Sequence, residues 1–136
     1  VQNSKLLITE LQIENRVLWL PKSSRKELMI CMSQADLIAG EFNLSSLGSG
    51  VANEAMVMKK PLLGYRDDSL YEEEFPELYP FLNASSETEI FQQLDYAINN
   101  LVELNEIGEK ASLWYQKYVV NKSLDFIKSE IEKVRT

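Results

Sequence analysis

The residues best suited to chemistry lie between positions 46 and 66. Ser46, Gly48, Ser49 and Gly50 lead into Val51 and then Glu54, a carboxylate on a stretch that reads as a helix. Hydroxyls and small residues at a turn let a ligand approach the backbone, and Gly48 and Gly50 are expected to take up positive φ there. The free N–H groups and partial positive charge at the start of a helix suit an anion, a phosphate above all. Ordinary strand-to-helix turns carry the same residue types, so the turn alone is a weak signal. Glu54 follows Val51 by three positions and precedes Val57 and Met58 by three and four. A carboxylate on such an apolar rung must find donors. The vicinal diol of a ribose offers two hydroxyls to two carboxylate oxygens. A glutamate drawn to the helix start and turned to water is the plain alternative.

Composition narrows the chemistry further. The chain has 136 residues, enough for one domain, with 45% apolar and 26% charged residues, an ordinary globular balance. A net charge of −7 argues against a broad nucleic-acid or anionic-membrane surface. No apolar run approaches the roughly 18 residues of a membrane span, and the start of the chain does not read as a signal peptide. The chain contains no histidine, which removes Ser-His and Cys-His triads and the usual zinc sites from within it. A single cysteine, Cys31, is expected to be a buried small apolar residue, and a reducing cytoplasm fits it.

The elements that must position the turn can be read from periodicity and punctuation. Residues 4–13 carry Leu6, Leu7, Leu11 and Ile13 at helical spacing. "RVLWLP", 16–21, reads as a first strand. Ser24 with Glu27 forms a capping box that opens a helix with an apolar face of Leu28, Ile30, Cys31, Met32 and Ala35. "DLIAG", 36–40, and "PLLGY", 61–65, read as strands flanking a helix over 50–59, and "LYPFLNAS", 78–85, as a fourth strand. A helix over 86–104 with Ile90, Leu94, Ile98 and Leu101 on one face is followed by helices near 105–119 and 121–134. This alternation predicts an α/β fold: a Rossmann-like parallel sheet with helices on both faces and additional C-terminal helices. In such sheets ligands bind at the carboxyl ends of the strands, which directs attention to the segments after Leu20, Gly40 and Tyr65.

"GSGVANEAMVMKKPLL" resembles the donor-site motif of GT-B fold glycosyltransferases, where a Gly/Ser-rich turn opens a helix reading Glu-Ala-Met-Ala-x-Gly-x-Pro-Val. "SQADLIAG" looks like that family's strand into the turn, and "RVLWLPKSSRKELMICMSQAD" is similar to the segment before it, so the likeness spans nearly the whole chain. The resemblance implies the nucleotide-sugar-binding C-terminal domain of a transferase, with a UDP- or GDP-linked sugar as co-substrate and no separate cofactor or metal. Glu54 would take the ribose. Ser46, Gly48, Ser49, Gly50 and Val51 would face the diphosphate, and Leu20 and Pro21 the nucleobase. The pattern departs in two places. Many retaining members carry a second glutamate eight positions before the first, where this chain has Ser46, and Lys59 stands where the family usually has glycine. The family's upstream βα units and acceptor-binding domain do not lie within this sequence, so a partial, inactive donor-binding domain with open sheet edges, able to self-associate, is expected.

The sequence holds other charged and aromatic residues besides these. Arg66 leaves the third strand and could reach the donor, or pair with Asp67 or Asp68. Asp67, Asp68, Glu72, Glu73 and Glu74 could hold Mg²⁺ but read better as a solvated loop. Lys22 and Arg25 lie beside the first strand's exit, and Trp19, Trp114, Tyr115 and Tyr118 read as packing residues. A nucleotide-sugar epimerase on the same scaffold, or a non-catalytic α/β module that binds a protein partner, are the competing functions.

Overall fold

The computed structural model describes residues 2–45 and 47–135. Ser46 therefore lies outside the described residues. Three short strands form a parallel sheet in the order β1 (Ile38–Ala39), β2 (Leu62–Gly64), β3 (Leu82–Asn83). Ile38 pairs with Leu62, Ala39 with Leu63, Leu63 with Leu82 and Gly64 with Asn83. The ladder continues past the strands: Gly40 N donates to Leu63 O at 2.8 Å, Tyr65 N to Glu41 O at 2.8 Å, and Ala84 N to Gly64 O at 2.8 Å. The described residues also form six α-helices, α1 (Gln2–Glu10), α2 (Arg25–Gln34), α3 (Gly50–Val57), α4 (Glu87–Asn99), α5 (Leu101–Tyr115) and α6 (Lys122–Arg135). The molecule is thus mixed α/β but mostly helical, with a sheet smaller than a full doubly wound fold carries.

The alternation of side chains along β2 explains how so small a sheet organises the molecule. Successive strand residues face opposite sides. Leu62 joins a core with Met32 of α2, Ala52, Ala55 and Met56 of α3, and Ala111 and Trp114 of α5. Leu63 joins the opposite core with Leu82, Ala84, Ala97 of α4 and Leu104 of α5. The cores are closed by α3 on one face and α4 on the other, and α5 contributes to both.

Local signals set the helix starts. Ser24 Oγ accepts from Glu27 N at 3.4 Å while Glu27 Oε2 accepts from Ser24 N at 2.8 Å, the reciprocal box expected from the sequence. Those backbone and hydroxyl donors hold the Glu27 carboxyl below the usual glutamate range. Ser86 and Glu89 repeat the arrangement at α4.

Several expected elements differ. Residues 16–21 form no strand: Glu14–Arg16 is a 3₁₀ turn, and the stretch beyond it lies outside the sheet with Leu18, Trp19 and Leu20 exposed. A strand needs a neighbour for its backbone groups, and the sheet brings none alongside this segment. The strands expected over 36–40, 61–65 and 78–85 shorten to two or three residues. Asn100, with φ −134° and ψ 50°, splits the expected 86–104 helix into α4 and α5. The split turns Ile98 and Leu101 to solvent, and Ala97 and Leu104 are buried instead. Further on, the two expected helices are one helical run from α5 to α6, joined by a π segment at Gln116–Asn121. Cys31, Leu28 and Ile30 are exposed rather than buried, because only Met32 of α2 reaches the core. Trp19 is also exposed, whereas Trp114 and Tyr118 are packed as expected.

Candidate functional site

The candidate site begins where β1 ends. Glu41 follows β1, and Ser49 caps α3, its Oγ accepting from Ala52 N at 3.2 Å. Gly50 has open space around its α-carbon, with nothing within 4 Å of a Cβ built there. Gly48 sits against the Asn53 amide, whose Nδ2 lies 3.5 Å from the Gly48 carbonyl oxygen. Neither glycine has positive φ, a correction to the expectation from the sequence. The N-cap of α3 has ordinary extended geometry, with φ −66° and ψ 161° at Ser49, so the turn needs no left-handed residue.

Loop contacts close the helix tip. Asp67 N donates to Ser45 Oγ at 2.8 Å, and the Tyr79 hydroxyl donates to Leu47 O at 2.8 Å. Glu41, Ser49, Gly64 and Phe81 line a cavity of about 10 Å³ at this point. That is space for roughly one water.

Glu54 lies on the second turn of α3. The buried stripe of that helix is Ala52, Ala55 and Met56, while Val51 and Val57 are exposed. Of the three apolar neighbours on the Glu54 rung, Val51 and Val57 are therefore open to solvent, whereas Met58 packs against the core. The Glu54 side chain is nonetheless only 13% exposed, and its Oε1 receives Arg25 Nε at 2.8 Å. Arg25 opens α2 and is itself 76% exposed. The structure thus brings together Ser49, Gly50, Val51 and Glu54 on one helix, and adds Arg25 to them. Leu20 and Pro21 are exposed in the unpaired segment that precedes α2.

The far end of the α3–β2 connection shows how Lys59 takes the place of a glycine. Lys59 N donates to Met56 O at 3.1 Å and Lys60 N to Ala55 O at 2.9 Å, the paired bonds of a Schellman cap. Lys59 adopts the left-handed conformation that cap requires, with φ 58°.

Arg66, just past β2, is 4% exposed. Its Nε meets Asp68 Oδ1 at 2.6 Å, its Nη2 donates to Tyr79 O at 3.1 Å, and its guanidinium lies 4.5 Å from the centres of both the Tyr79 and Phe81 rings. Asn83 holds its backbone, accepting from Arg66 N at 3.0 Å and donating to Arg66 O at 2.8 Å. The sequence signalled Arg66 and its pairing with an adjacent aspartate, but gave no sign of its burial or of Asn83. Asp67 caps a 3₁₀ turn over Asp68–Leu70, its Oδ1 accepting from Ser69 N at 3.1 Å. Among the described residues no three acidic or cysteine side chains converge as a metal site.

Arg66 also forms part of the wall of a cavity of about 570 Å³, together with Asp68, Glu72, Phe75, Tyr79 and Asn83. Glu77 ties the wall to the C-terminal helices: its carbonyl accepts from Trp114 Nε1 at 2.8 Å, and its Oε1 meets Lys117 Nζ at 2.6 Å and the Tyr118 hydroxyl at 2.9 Å. Hydrogen bonding to Lys117, then to Tyr118, holds the Glu77 carboxyl below the usual range. Burial pushes the Tyr79 phenol up, against an opposing pull from Arg66.

Among the described residues no helix is long and apolar enough to cross a membrane. No family model matches the sequence, and comparison with curated proteins and with solved structures likewise returned no match.

Proposed function

We propose that this chain is the donor-binding portion of a cytoplasmic nucleotide-sugar-dependent glycosyltransferase. The observation that carries the reading is Glu54: a carboxylate held mostly out of water on the helix that follows β1, close to that helix's free N–H groups. The GT-B-like spacing around it supports the same assignment. In this reading Glu54 accepts both hydroxyls of the donor ribose. The diphosphate lies against the start of α3 at Gly48, Ser49, Gly50 and Val51, where the helix N–H groups stabilise negative charge as the sugar departs. Leu20 and Pro21 flank the nucleobase. Arg25 leaves Glu54 as the ribose arrives, and its charge is then free for the donor phosphates. An acceptor-binding half supplies the acceptor and any catalytic base.

Calorimetric titration of UDP, GDP and unrelated nucleotides tests the assignment. Saturable binding of one diphosphate, weakened about tenfold or more by Glu54→Ala, is the expected result, since a hydrogen bond to a charged group contributes about 1.5–3 kcal/mol. Binding indifferent to that substitution removes Glu54 from the site.

A second reading, a non-catalytic module that binds a protein partner, is favoured by one observation. Phe91, Ile98 and Val102 stand 72%, 73% and 75% exposed along α4 and the start of α5. Absence of nucleotide binding in the titration would leave this reading.

A further inference from the structure

We propose that the cavity beside Arg66 is a second binding site, for a neutral polyhydroxyl ligand of the saccharide class. It shares none of its lining with Glu54, Ser49 or Gly50, and the proposal does not depend on their assignment. A cavity of about 570 Å³ is within the size range of small-molecule sites.

Two features select the ligand. The first is Arg66. Its guanidinium is buried and its Nε and Nη2 are engaged, but Nη1 is buried with no partner. An orphaned donor on a buried cation is costly, and an oxygen acceptor from a ligand relieves it. Nη1 is buried, and Arg66 contributes to the lining of the cavity.

The second feature is charge. Asp68 already neutralises Arg66 at 2.6 Å, Glu77 is paired with Lys117, and Glu72 adds one further, unpaired carboxylate to the lining. A phosphate or carboxylate ligand would face that excess of negative charge. A simple amine would leave Nη1 unsatisfied and set a second cation beside Arg66. A hydroxyl-rich neutral molecule meets both demands. One oxygen accepts from Nη1, other hydroxyls donate to Asp68 and Glu72, and its C–H surface lies against Phe75 and Tyr79. Glu72 is exposed and has no hydrogen bond or ion pair among the described residues, so it is available for that role.

Saturation-transfer NMR on the whole chain tests the site. The probes are glucose, galactose, mannose and N-acetylglucosamine, against methyl phosphate, glycine and ethanolamine. At least one sugar is expected to show saturable transfer, reduced about tenfold or more in Glu72→Ala and Arg66→Lys and unchanged in Glu54→Gln. Unchanged transfer in Glu54→Gln separates this site from the nucleotide site. If Arg66→Lys fails to fold, as judged by circular dichroism, the Glu72→Ala result decides alone. The proposal is overturned if no sugar shows transfer, if transfer persists undiminished in Glu72→Ala, or if methyl phosphate, glycine or ethanolamine shows transfer in place of the sugars.

Discussion

Gly108 on α5 rests directly on the backbone of Lys59: a methyl group added at Gly108 would lie 2.3 Å from the Lys59 carbonyl oxygen and 3.0 Å from Pro61 N. The helix crosses the turn that ends α3 and opens β2, and only a residue without a side chain permits that approach. Lys59 Nζ reaches back to Glu109 Oε2 at 3.0 Å, so the same two turns are joined by backbone contact and by an exposed ion pair. The contact lies between the helix carrying Glu54 and the strand leading to Arg66.

The contact makes Gly108→Ala severely destabilising. The obstruction is backbone rather than a flexible side chain, so a loss of about 3 kcal/mol or more is expected, or failure to fold. Lys59→Gly should move the other way. Relief of the left-handed lysine is worth about 1–2 kcal/mol, offset in part by glycine's greater chain entropy and by loss of the exposed pair with Glu109. A net gain of about 0.5 kcal/mol is expected. Urea unfolding midpoints read both effects.

Asn83 separates hydrogen-bond pattern from shape. Asn83→Asp retains the acceptor for Arg66 N but places a carboxylate oxygen against the Arg66 carbonyl in place of a donor. A loss of about 1–3 kcal/mol is expected despite near-identical volume. Thermal unfolding of the pair, with Asn83→Ala as reference, checks whether the donor half of the clamp matters.

Acid should loosen the wall of the Arg66 cavity before it unfolds the core. The Glu77 carboxyl sits below its ordinary value because Lys117 and Tyr118 hold its charged form. A group depressed on folding stabilises the folded state above its unfolded pKa and loses that contribution as pH falls through the folded value. Glu27, lowered by hydrogen bonds from Ser24, and Glu89, lowered by those from Ser85 and then Ser86, add the same sign. Stability is therefore expected to be level from neutral pH down to the upper edge of the glutamate range and to fall below it. Glu77→Gln should flatten part of that decline, measured by Trp114 fluorescence and by hydrogen exchange over 72–78.

Trp114 is the centre of the aromatic packing, with Phe75, Tyr79 and Tyr118 ring centres at 5.2, 5.1 and 5.2 Å. Trp114→Ala should cost about 3–5 kcal/mol by cavity formation. Trp114→Phe keeps much of the packing but strands the Glu77 carbonyl, and a smaller loss of about 1–2 kcal/mol is expected. Comparing the two by denaturant unfolding divides packing from hydrogen bonding.

What local sequence determined is what local chemistry can enforce. Ser24 with Glu27 opens α2, Ser49 caps α3, and "DLIAG" and "PLLGY" supply parallel strands, because capping groups and apolar runs act within a few residues. The candidate site's backbone, from Ser49 to Glu54, was legible for the same reason. Its surroundings were not. Arg25 as the partner of Glu54, Asn83 as the clamp on Arg66, and Gly108 against Lys59 join positions far apart in the chain. The fate of "RVLWLP" was likewise a tertiary decision: its composition suits a strand, but a strand exists only where another backbone lies beside it. The burial of Arg66 followed from the folding of 75–81 over it, an outcome that no periodicity within the loop encodes.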